Sequence, residues 1–311
     1  MKFKKPKFWD SEKISLEAIL LLPFSIIYLI IILISKLPSI FKVYKKLPIP
    51  VVCVGNIYLG GTGKTPLAKE IFYIIQSLGK NPAFIKKKYN FLLDEIRMLE
   101  NVGKTFVCKS RLSGILLSAR NNHNVAILDD GFQDFSIKPD FSVLCFNSKQ
   151  LIGNSLVLPS GPLRERFKSI LRADCIVING DRNIKFENKI FKNSEKKKIH
   201  IFYSKYTIKN LETFKDKEIT AFAGIGNPTN FFDLLIENNL NVKNTFSFPD
   251  HHNYSKSDFE KITTNNSTKI VTTEKDYHRM SDEQKKICDY VEINLEIDDR
   301  DKLKNLISSY L

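Results

Sequence analysis

Apolar residues follow two alternating patterns along this chain. Four runs are apolar at consecutive positions, as in strands buried on both faces of a sheet: IPVVCVGN, NVAILDDG, FSVLCFN and DCIVING. Apolar residues recur instead every three or four positions, as in helices, in TPLAKEIFYIIQSLGK and RLSGILLSARNN. Weaker strand patterns occur in PAFIKKKY and KTFVCKS, and a helix is predicted in DEIRMLENVG. This alternation predicts an α/β fold with a doubly wound parallel sheet.

The pattern changes in the second half of the chain. Residues Asn183–Lys217 are rich in Lys and Asn, and IHIFYSKYTIKNLETF within them is typical of extended linker strands. Strand and helix patterns resume from Glu218 in ITAFAGIGNP, TNFFDLLIENN and KIVTTEKD, which predicts a second, smaller α/β domain joined by a hinge. The predicted divisions are an N-terminal membrane-associating region at 1–48, a first α/β domain at 49–205, a hinge at 206–217 and the smaller domain at 218–311.

An apolar segment near the N-terminus, Ala18–Ser35, carries no charge over 18 residues and has lysines on both sides. At about 1.5 Å per residue a helix of this length would reach about 27 Å, close to the thickness of a hydrocarbon core. Glu17 and Pro23 do not suit a clean membrane span. Three interpretations stay open: an anchor inserted into or lying on a membrane, a buried core helix, or an uncleaved targeting segment.

The formal net charge of +14 favours anionic partners, namely nucleic acid, acidic lipid surfaces or phosphorylated substrates. A compositional bias towards lysine explains the same excess without any function, so charge alone decides little. The five cysteines are scattered and show no C-x-x-C spacing, which is typical of reduced core residues in a cytosolic protein.

The segment VCVGNIYLGGTGKTP carries the strongest chemical signal. A strand precedes it and a helix follows it, so backbone N–H groups at the helix start can converge on an anion. Its end fits the phosphate-loop pattern G-x-x-x-x-G-K-[ST], but Tyr58 stands where that pattern has its first glycine. The residues predicted to hold nucleotide phosphates are Gly60, Gly61, Thr62, Gly63, Lys64 and Thr65.

Acidic and basic residues elsewhere extend this prediction. Asp129 and Asp130 end a predicted strand, where a carboxylate of a phosphate-loop site reaches the metal; alone they would be an acidic turn. Arg164, in LPSGPLRER, could clamp a phosphate or belong to a solvated charged face. In FPDHHNYS a histidine oriented by Asp250 could accept a proton, although a surface turn is equally ordinary.

Six segments occur in a fixed order from Val54 to Asp276: VGNIYLGGTGKTP, DDGFQ, GNSLVLPSGPLRE, AGIGNPTNFF, FPDHHNYS and TTEKD. Together with the preceding apolar helix, this ordered set resembles the tetraacyldisaccharide 4'-kinases of lipid A synthesis. The loop of that family reads V-G-N-x-x-x-G-G-T-G-K-T-P and lacks the first glycine, so Tyr58 agrees with the family pattern.

This resemblance implies a P-loop NTPase-like fold and a reaction in which Mg²⁺-assisted ATP phosphorylates the 4'-hydroxyl of an acylated glucosamine disaccharide 1-phosphate. The enzyme would work at the cytoplasmic face of the inner membrane, anchored by its N-terminal helix, with membrane lipid and no nucleic acid as partner. It also implies residue roles. Asp94, His251 and Lys64 would be catalytic; Thr65, Asp129, Asp130 and Glu95 would hold the metal; Tyr89, Arg164 and Glu165 would contact substrate.

Two segments differ from the family. Where relatives carry SRGYGR and a long loop before their GDE acids, this chain has the shorter IKKKYNFLLDE, in which Lys87 stands at the arginine. Where the family has DDGFQH, Asp134 replaces the histidine. Two further hypotheses therefore accompany the kinase: a membrane-associated phosphate-loop NTPase or switch without a lipid substrate, and a catalytically impaired relative that still binds nucleotide.

Overall fold

The computed structural model describes residues 5–40, 46–88, 93–195, 197–264 and 268–311, without side chains for 38–40 and 93. The chain folds into two compact units. The larger unit comprises Lys5–Lys88, Val102–Lys205 and Glu296–Leu311, and the described part of the smaller unit comprises 93–101 and Tyr206–Leu295. Each unit is described separately below.

The secondary structure follows the predicted alternation. The strands are β1 (Val51–Gly55), β2 (Pro82–Lys87), β3 (Thr105–Cys108), β4 (Val125–Asp129), β5 (Phe141–Asn147), β6 (Cys175–Asn179), β7 (His200–Ile208), β8 (Glu218–Ala223), β9 (Asn241–Ser247), β10 (Lys269–Thr273), β11 (Asp289–Val291) and β12 (Ile293–Ile297). The helices are α1 (Leu16–Leu20), α2 (Leu22–Ile40), α3 (Lys64–Ser77), α4 (Leu93–Glu100), α5 (Arg111–Arg120), α6 (Ile184–Asn193), α7 (Pro228–Glu237), α8 (Lys256–Ile262), α9 (Glu274–Tyr277), α10 (Asp282–Lys285) and α11 (Arg300–Ser308).

The larger unit is built on a sheet with the strand order β12-β7-β6-β5-β1-β4-β2-β3. Strand β1 lies between β4 and β5 and pairs in parallel with both. Parallel pairing continues outwards from β4 to β2 and β3, and from β5 to β6 and β7. The doubly wound parallel sheet predicted from the apolar runs is confirmed, and the carboxyl ends of β1 and β4 lie side by side at one edge.

The strands of this sheet are buried because their consecutive apolar residues face helices on both sides. Every residue of β1, β4 and β5 is buried. Helix α3 contributes Leu67, Ile71 and Ile75 to the interior. Helix α5 approaches β2 so closely that a Cβ on Gly114 would come within 2.6 Å of Ile85 Cγ2. Glycine at this position therefore sets the distance between helix and sheet.

The N-terminal apolar segment forms α1 and α2, with the interruption at Leu21, two residues before Pro23. One side of α2 contacts the larger unit: the Ser25 hydroxyl donates to the Val157 carbonyl (3.0 Å), and the Tyr28 hydroxyl donates to the Arg164 carbonyl (3.0 Å). Its other side is exposed over many apolar residues: Phe24, Ile26, Ile27, Ile30, Ile31, Leu33, Ile34 and Leu37. Among the described helices, none combines the length and apolarity that a membrane crossing requires.

The smaller unit has its own four-stranded sheet in the order β11-β10-β8-β9, with parallel pairing throughout. Phe222 and Ala221 of β8 and Val271 of β10 are fully buried in it, so the unit has a core of its own. The second α/β unit predicted from the renewed strand and helix patterns is present.

The boundaries of the units differ from the predicted ones. Strand β7 runs to Ile208, through residues predicted as the start of a hinge. Helix α11 belongs to the larger unit, whereas the sequence placed all of 218–311 in the smaller domain. The physical reason is the burial of Leu303 and Ile307 in the larger unit, together with an ion pair of 2.6 Å between Arg300 Nε and Glu70 Oε1.

Candidate functional site

The glycine loop connects β1 to α3 in the larger unit. Gly60 (φ +129°) and Gly63 (φ +90°) have backbone conformations that residues with a Cβ rarely adopt. The Asn56 side chain donates hydrogen bonds to the Tyr58 carbonyl (2.6 Å) and to Thr62 Oγ1 (2.8 Å). The loop is thereby fixed from within, immediately before the N-terminal turn of α3, whose free N–H groups suit a phosphate.

The loop needs no glycine at position 58, where the phosphate-loop pattern has its first glycine. The φ of Tyr58 is not positive, so a side chain fits there without strain. Its ring is buried, and its hydroxyl donates to the Asp10 carboxylate. The adjoining backbone is fixed by hydrogen bonds from Leu59 N–H to the Pro162 carbonyl (2.8 Å) and from Arg164 N–H to the Ile57 carbonyl (2.7 Å). Tyr58 is thus a packing anchor that connects the loop to the PLRE segment.

The two predicted acids occupy the end of β4, next to the loop. Arg164 Nη1 lies 2.8 Å from Asp130 Oδ1, and the buried Lys86 of β2 forms an ion pair with Asp129 Oδ2. Burial raises the pKa of the Asp130 carboxyl, but the charges of Lys64, Arg164 and Lys86 outweigh burial and hold that pKa below its usual range. Asp130 is therefore ionised at neutral pH, and the side chains of both acids face cations.

Two buried oxygens at this edge of the sheet accept no hydrogen bond from the described residues. Asp129 Oδ1 and Asn56 Oδ1 are buried without a hydrogen-bond partner in the described part of the chain. Buried polar atoms normally have a partner, so these oxygens fit a ligand such as a hydrated cation or a nucleotide. Thr65, at the start of α3, is also buried. In the described ranges, however, no cluster of three or more His, Cys, Asp or Glu side chains forms a preassembled metal site.

The neighbouring residues Glu165 and Asp134 form internal ion pairs in the larger unit. Glu165 is buried between Arg172 Nη2 (2.6 Å) and Lys36 Nζ (2.7 Å), so its predicted contact with substrate stays a prediction. Asp134, which replaces the family histidine, lies 2.9 Å from Arg111 Nη1, and Arg111 also donates to the Asp130 carbonyl (2.7 Å). The replacement thus supports the backbone of the acidic pair.

In the smaller unit, the structure brings two predicted catalytic residues together. Asp94 lies in the first turn of α4 and is buried. His251 Nδ1 lies 3.3 Å from Asp94 Oδ2. A left-handed backbone at His251 (φ +55°) and a hydrogen bond from its N–H to the Gly224 carbonyl (3.0 Å) position the ring. A strained non-glycine residue held in this way is a frequent feature of functional sites.

Two cationic side chains lie next to Asp94 and His251. Lys275 Nζ lies 3.5 Å from Glu95 Oε1 and 3.4 Å from His251 Nε2. Arg279 Nη1 lies 3.8 Å from Asp94 Oδ2. Burial raises the pKa of the Asp94 carboxyl, but the interactions with His251, Lys275 and Arg279 outweigh it and lower that pKa overall. Both oxygens of Asp94 are buried without a hydrogen bond in the described chain; the ion-pair contacts fall on Oδ2, so Oδ1 is available as an acceptor.

The adjacent histidine, His252, has a different environment. Its Nε2 lies 3.0 Å from Asp258 Oδ2, and its ring stacks on Phe248 with the ring centroids 4.9 Å apart. Asp258 also closes the capping box of α8 with Ser255. Burial raises the pKa of Asp258, and hydrogen bonds from Ser255 and His252 lower it more, to about 2. His252 therefore stabilises the start of α8, while His251 faces Asp94.

Asp276, in the TTEKD segment, holds backbone and side-chain groups next to Asp94 and His251 in place. Asp276 accepts hydrogen bonds from Gly224 N–H (3.0 Å), the Tyr254 hydroxyl (2.8 Å) and the Thr273 hydroxyl (2.7 Å), and it forms an ion pair with Arg279. The sequence assigned no role to Arg279 or Lys86, which are separated along the chain from their acidic partners. Lys275 was visible within TTEKD, but a solvated charge explained it equally well. Tyr89 lies outside the described residues.

Comparisons with known proteins identify the family. The family model described as Tetraacyldisaccharide-1-P 4'-kinase matches residues 17–96 and 93–311. A tetraacyldisaccharide 4'-kinase from Pelagibacter ubique is 40% identical over 309 residues, covering 98% of this chain and 97% of the relative. One from Francisella tularensis subsp. novicida is 30% identical, covering 94% of this chain and 98% of the relative.

A solved structure supports the same assignment. The chain is similar to an "apo" form of LpxK from Aquifex aeolicus in complex with ATP, with a TM-score of 0.73 and 25% identity, over 95% of this chain and 99% of that one. The family model covers almost the whole sequence, and the glycine loop, the acidic pair and the paired Asp94 and His251 are all present in the fold. The chain belongs to the tetraacyldisaccharide-1-P 4'-kinase family.

Proposed function

We propose that this chain transfers the γ-phosphoryl group of ATP to the 4'-hydroxyl of an acylated glucosamine disaccharide 1-phosphate, a step of lipid A synthesis. Family membership supports the reaction, and the observation that carries the residue assignment is the approach of His251 Nδ1 to Asp94 Oδ2 at 3.3 Å. A phosphoryl transfer to an alcohol needs a positioned group that accepts the hydroxyl proton.

ATP binds at the glycine loop of the larger unit. Backbone N–H groups at the start of α3 hold the phosphates, and Lys64 adds a positive charge to them. Arg164, which lies against Asp130, is close enough to the acidic pair to contribute a second charge at the transferred group. These residues bind and orient the donor, and the transition state of phosphoryl transfer is stabilised chiefly by such fixed charges.

Mg²⁺ is the metal that suits the available donors, which are hydroxyl and carboxylate oxygens. Thr65, Asp129 and Asp130 would hold it, and the unused Asp129 Oδ1 supports this fit. Bound there, the ion would neutralise charge on the β- and γ-phosphates. Glu95, the fourth predicted ligand, lies in the smaller unit beside Lys275, and its metal role is likewise a proposal.

Asp94 is the group that accepts the proton of the 4'-hydroxyl. Its Oδ1 is available, and its lowered pKa keeps it ionised at neutral pH. A carboxylate of low pKa is a weak base, so its orientation towards the hydroxyl matters, and His251 lies at the other carboxylate oxygen. Asp94 takes the proton at Oδ1, and His251, with Lys275 at its Nε2, keeps the carboxylate oriented.

The exposed apolar side of α1 and α2 attaches the enzyme to the cytoplasmic face of the inner membrane. Ile27, Ile31 and Ile34 are each more than half exposed in a helix that is fixed on its other side. Such a face binds at the boundary of headgroups and acyl chains, where an acylated sugar can be presented with its chains still in the bilayer.

A transfer assay with γ-labelled ATP and the lipid disaccharide 1-phosphate tests the function. We expect label in the lipid with Mg²⁺ present, and a loss of at least about 10²-fold in kcat with Asp94→Asn, with ATP binding retained. Lys64→Ala should weaken ATP binding as well as transfer.

The other outcomes of the same assay separate the alternatives. Release of labelled phosphate without lipid product would instead indicate an NTPase or switch. ATP binding with neither product would indicate a catalytically impaired relative. Wild-type turnover in Asp94→Asn would reject the proton-acceptor assignment while leaving the family intact.

A further inference from the structure

A lysine is buried at the acidic edge of the nucleotide-binding sheet, although burial of a charged side chain costs free energy. Lys86 lies on β2, its relative exposure is only 2%, and its ammonium group is paired with the fully buried Asp129. Strands β2 and β4 are adjacent and parallel, with Ile85 opposite Leu128, so the next residues along, Lys86 and Asp129, lie side by side at the carboxyl ends of their strands. The pair is therefore built into the register of the sheet.

The ion pair leaves half of the carboxylate available. Lys86 occupies Oδ2 of Asp129, whereas Oδ1 has no hydrogen-bond partner among the described residues. A buried ion pair kept only for stability is generally satisfied on all sides, because desolvation of two charges offsets most of their attraction. A pair with one open acceptor at the nucleotide edge fits a role in binding better than a role in folding.

Cationic side chains outnumber carboxylates around Asp129 and Asp130. Lys64, Lys86 and Arg164 all act electrostatically on Asp130, and Lys86 and Arg164 are in direct contact with the acidic pair. Arg111, which donates to the Asp130 carbonyl, is balanced by its own partner Asp134. Within the described chain, these residues therefore amount to four cations and three carboxylates. Without Lys86 the same set would be neutral, and an incoming polyphosphate would rely more heavily on a metal for its charge balance.

We propose that Lys86 is a resident cation of the nucleotide site, which partly substitutes for Mg²⁺ in charge balance and makes polyphosphate binding less dependent on the metal. The ammonium group remains on Asp129 Oδ2, and Oδ1 stays available to a hydrated cation. The inference rests on the nucleotide-binding part of the proposed function and not on transfer to lipid. Lys86 acts through Asp129 and is thus a positioning residue.

Calorimetric titration with ADP, in Mg²⁺ and separately in EDTA, measures this directly and requires no turnover. For the wild-type protein we expect removal of Mg²⁺ to weaken ADP binding by less than about tenfold. In Lys86→Gln, which keeps a hydrogen-bond donor but loses the charge, the same removal should weaken binding by roughly a further tenfold, or about 1.4 kcal/mol of coupling. Lys86→Arg keeps the charge and should behave as the wild type.

Lys197→Gln is the control for the loss of a lysine charge in the same unit, since Lys197 forms a more exposed ion pair of 2.7 Å with Asp174, just before β6. It should leave the ratio of the two dissociation constants unchanged. A purely structural Lys86 would weaken binding equally in both conditions, and an unchanged ratio in Lys86→Gln would overturn the proposal.

The wild-type titration alone keeps the proposal testable if Lys86→Gln does not fold. A loss of more than about a hundredfold in ADP affinity on Mg²⁺ removal from the wild type would also overturn it. Absence of ADP binding in both conditions would contradict the nucleotide site itself, and with it the proposed function. Nucleotide binding without lipid phosphorylation would leave the inference about Lys86 standing.

Discussion

Two adjacent histidines have separate environments in this protein. The left-handed backbone at His251 turns its ring towards Asp94, and the following residue, His252, points to Asp258 and Phe248. A sequence in which both residues follow the same aspartate does not distinguish them. The distinction depends on a single backbone angle, because a reversal of chain direction at one residue sends the next side chain elsewhere.

We expect His251→Ala to lower kcat by about 10²-fold with little change in ATP affinity, since the residue is proposed to orient the carboxylate that accepts the proton. His252→Ala should instead lower the free energy of unfolding by on the order of 1 kcal/mol and leave kcat nearly unchanged, because it loses a hydrogen bond and a ring stack. Steady-state kinetics and thermal melting of both variants measure these effects. A larger kcat loss in the His252 variant would show that the roles are reversed.

The Asp258 carboxyl gives the fold an acid-sensitive contribution. Its pKa falls from the usual 3.8 to about 2 in the folded protein, so the folded state binds the proton less readily than the unfolded chain. The resulting stability is fully present above 3.8 and is lost as the pH falls towards 2. Melting curves should therefore separate wild type from Asp258→Asn near neutral pH and converge in acid. A difference that persists at the lowest pH would contradict this origin.

At the scale of elements, the C-terminal helix α11 shows how an apparently peripheral segment completes a domain. Its hydrophobic residues Leu303 and Ile307 are fully buried, and Arg300 pairs with Glu70 of α3. Helix α3 begins at the glycine loop, so α11 supports the helix whose N-terminus is proposed to hold phosphate. The end of the chain thus contributes to the nucleotide-binding unit and not to the unit that precedes it along the sequence.

Leu303→Ala should destabilise the larger unit by about 2–5 kcal/mol, the usual cost of removing a fully buried leucine side chain. Thermal unfolding with and without ATP measures this loss, and ATP should raise the melting temperature of the variant because it binds the folded unit. Asn305→Ala, at an exposed position of the same helix, is the control and should have almost no effect. Equal stability of Leu303→Ala and wild type would argue against the assignment of α11 to this unit.

At the scale of the whole molecule, a P-loop α/β kinase fold carries an exposed apolar surface on α1 and α2. The exposed large residues described in α2 are leucine, isoleucine and phenylalanine, while the opposite side of the helix is fixed by Ser25, Tyr28 and Lys36. Exposed apolar patches of this kind commonly mark an interaction site. A membrane surface is the partner that the proposed lipid substrate requires.

Replacing Ile27, Ile31 and Ile34 together by serine should weaken binding to anionic vesicles by at least about tenfold, since each isoleucine contributes on the order of 1 kcal/mol when buried in lipid. Co-sedimentation with vesicles measures this, and ATP affinity should be retained. Leu112→Ser and Leu116→Ser, at exposed positions of α5, are matched controls. Unaltered sedimentation of the triple variant would place the membrane contact elsewhere.

The sequence by itself determined the parts that depend on local pattern. Consecutive apolar residues predict buried strands, helical spacing predicts the helices between them, and the ordered motifs point to the family that the comparisons identify. The glycine loop was predicted residue by residue, because its function depends on neighbours along the chain. Asp94 and His251 were paired by resemblance alone, as no local pattern connects positions so far apart.

The tertiary structure decided everything that depends on contacts between distant segments. It brought Lys86 to Asp129 through strand register, Arg279 to Asp94 through a helix turn, and α11 back to α3. It also placed His251 beside Asp94 and His252 beside Asp258. The physical reason is common to all four. Apolar side chains stabilise the fold through burial and charges through proximity, and both depend on contacts between distant segments that sequence spacing does not encode.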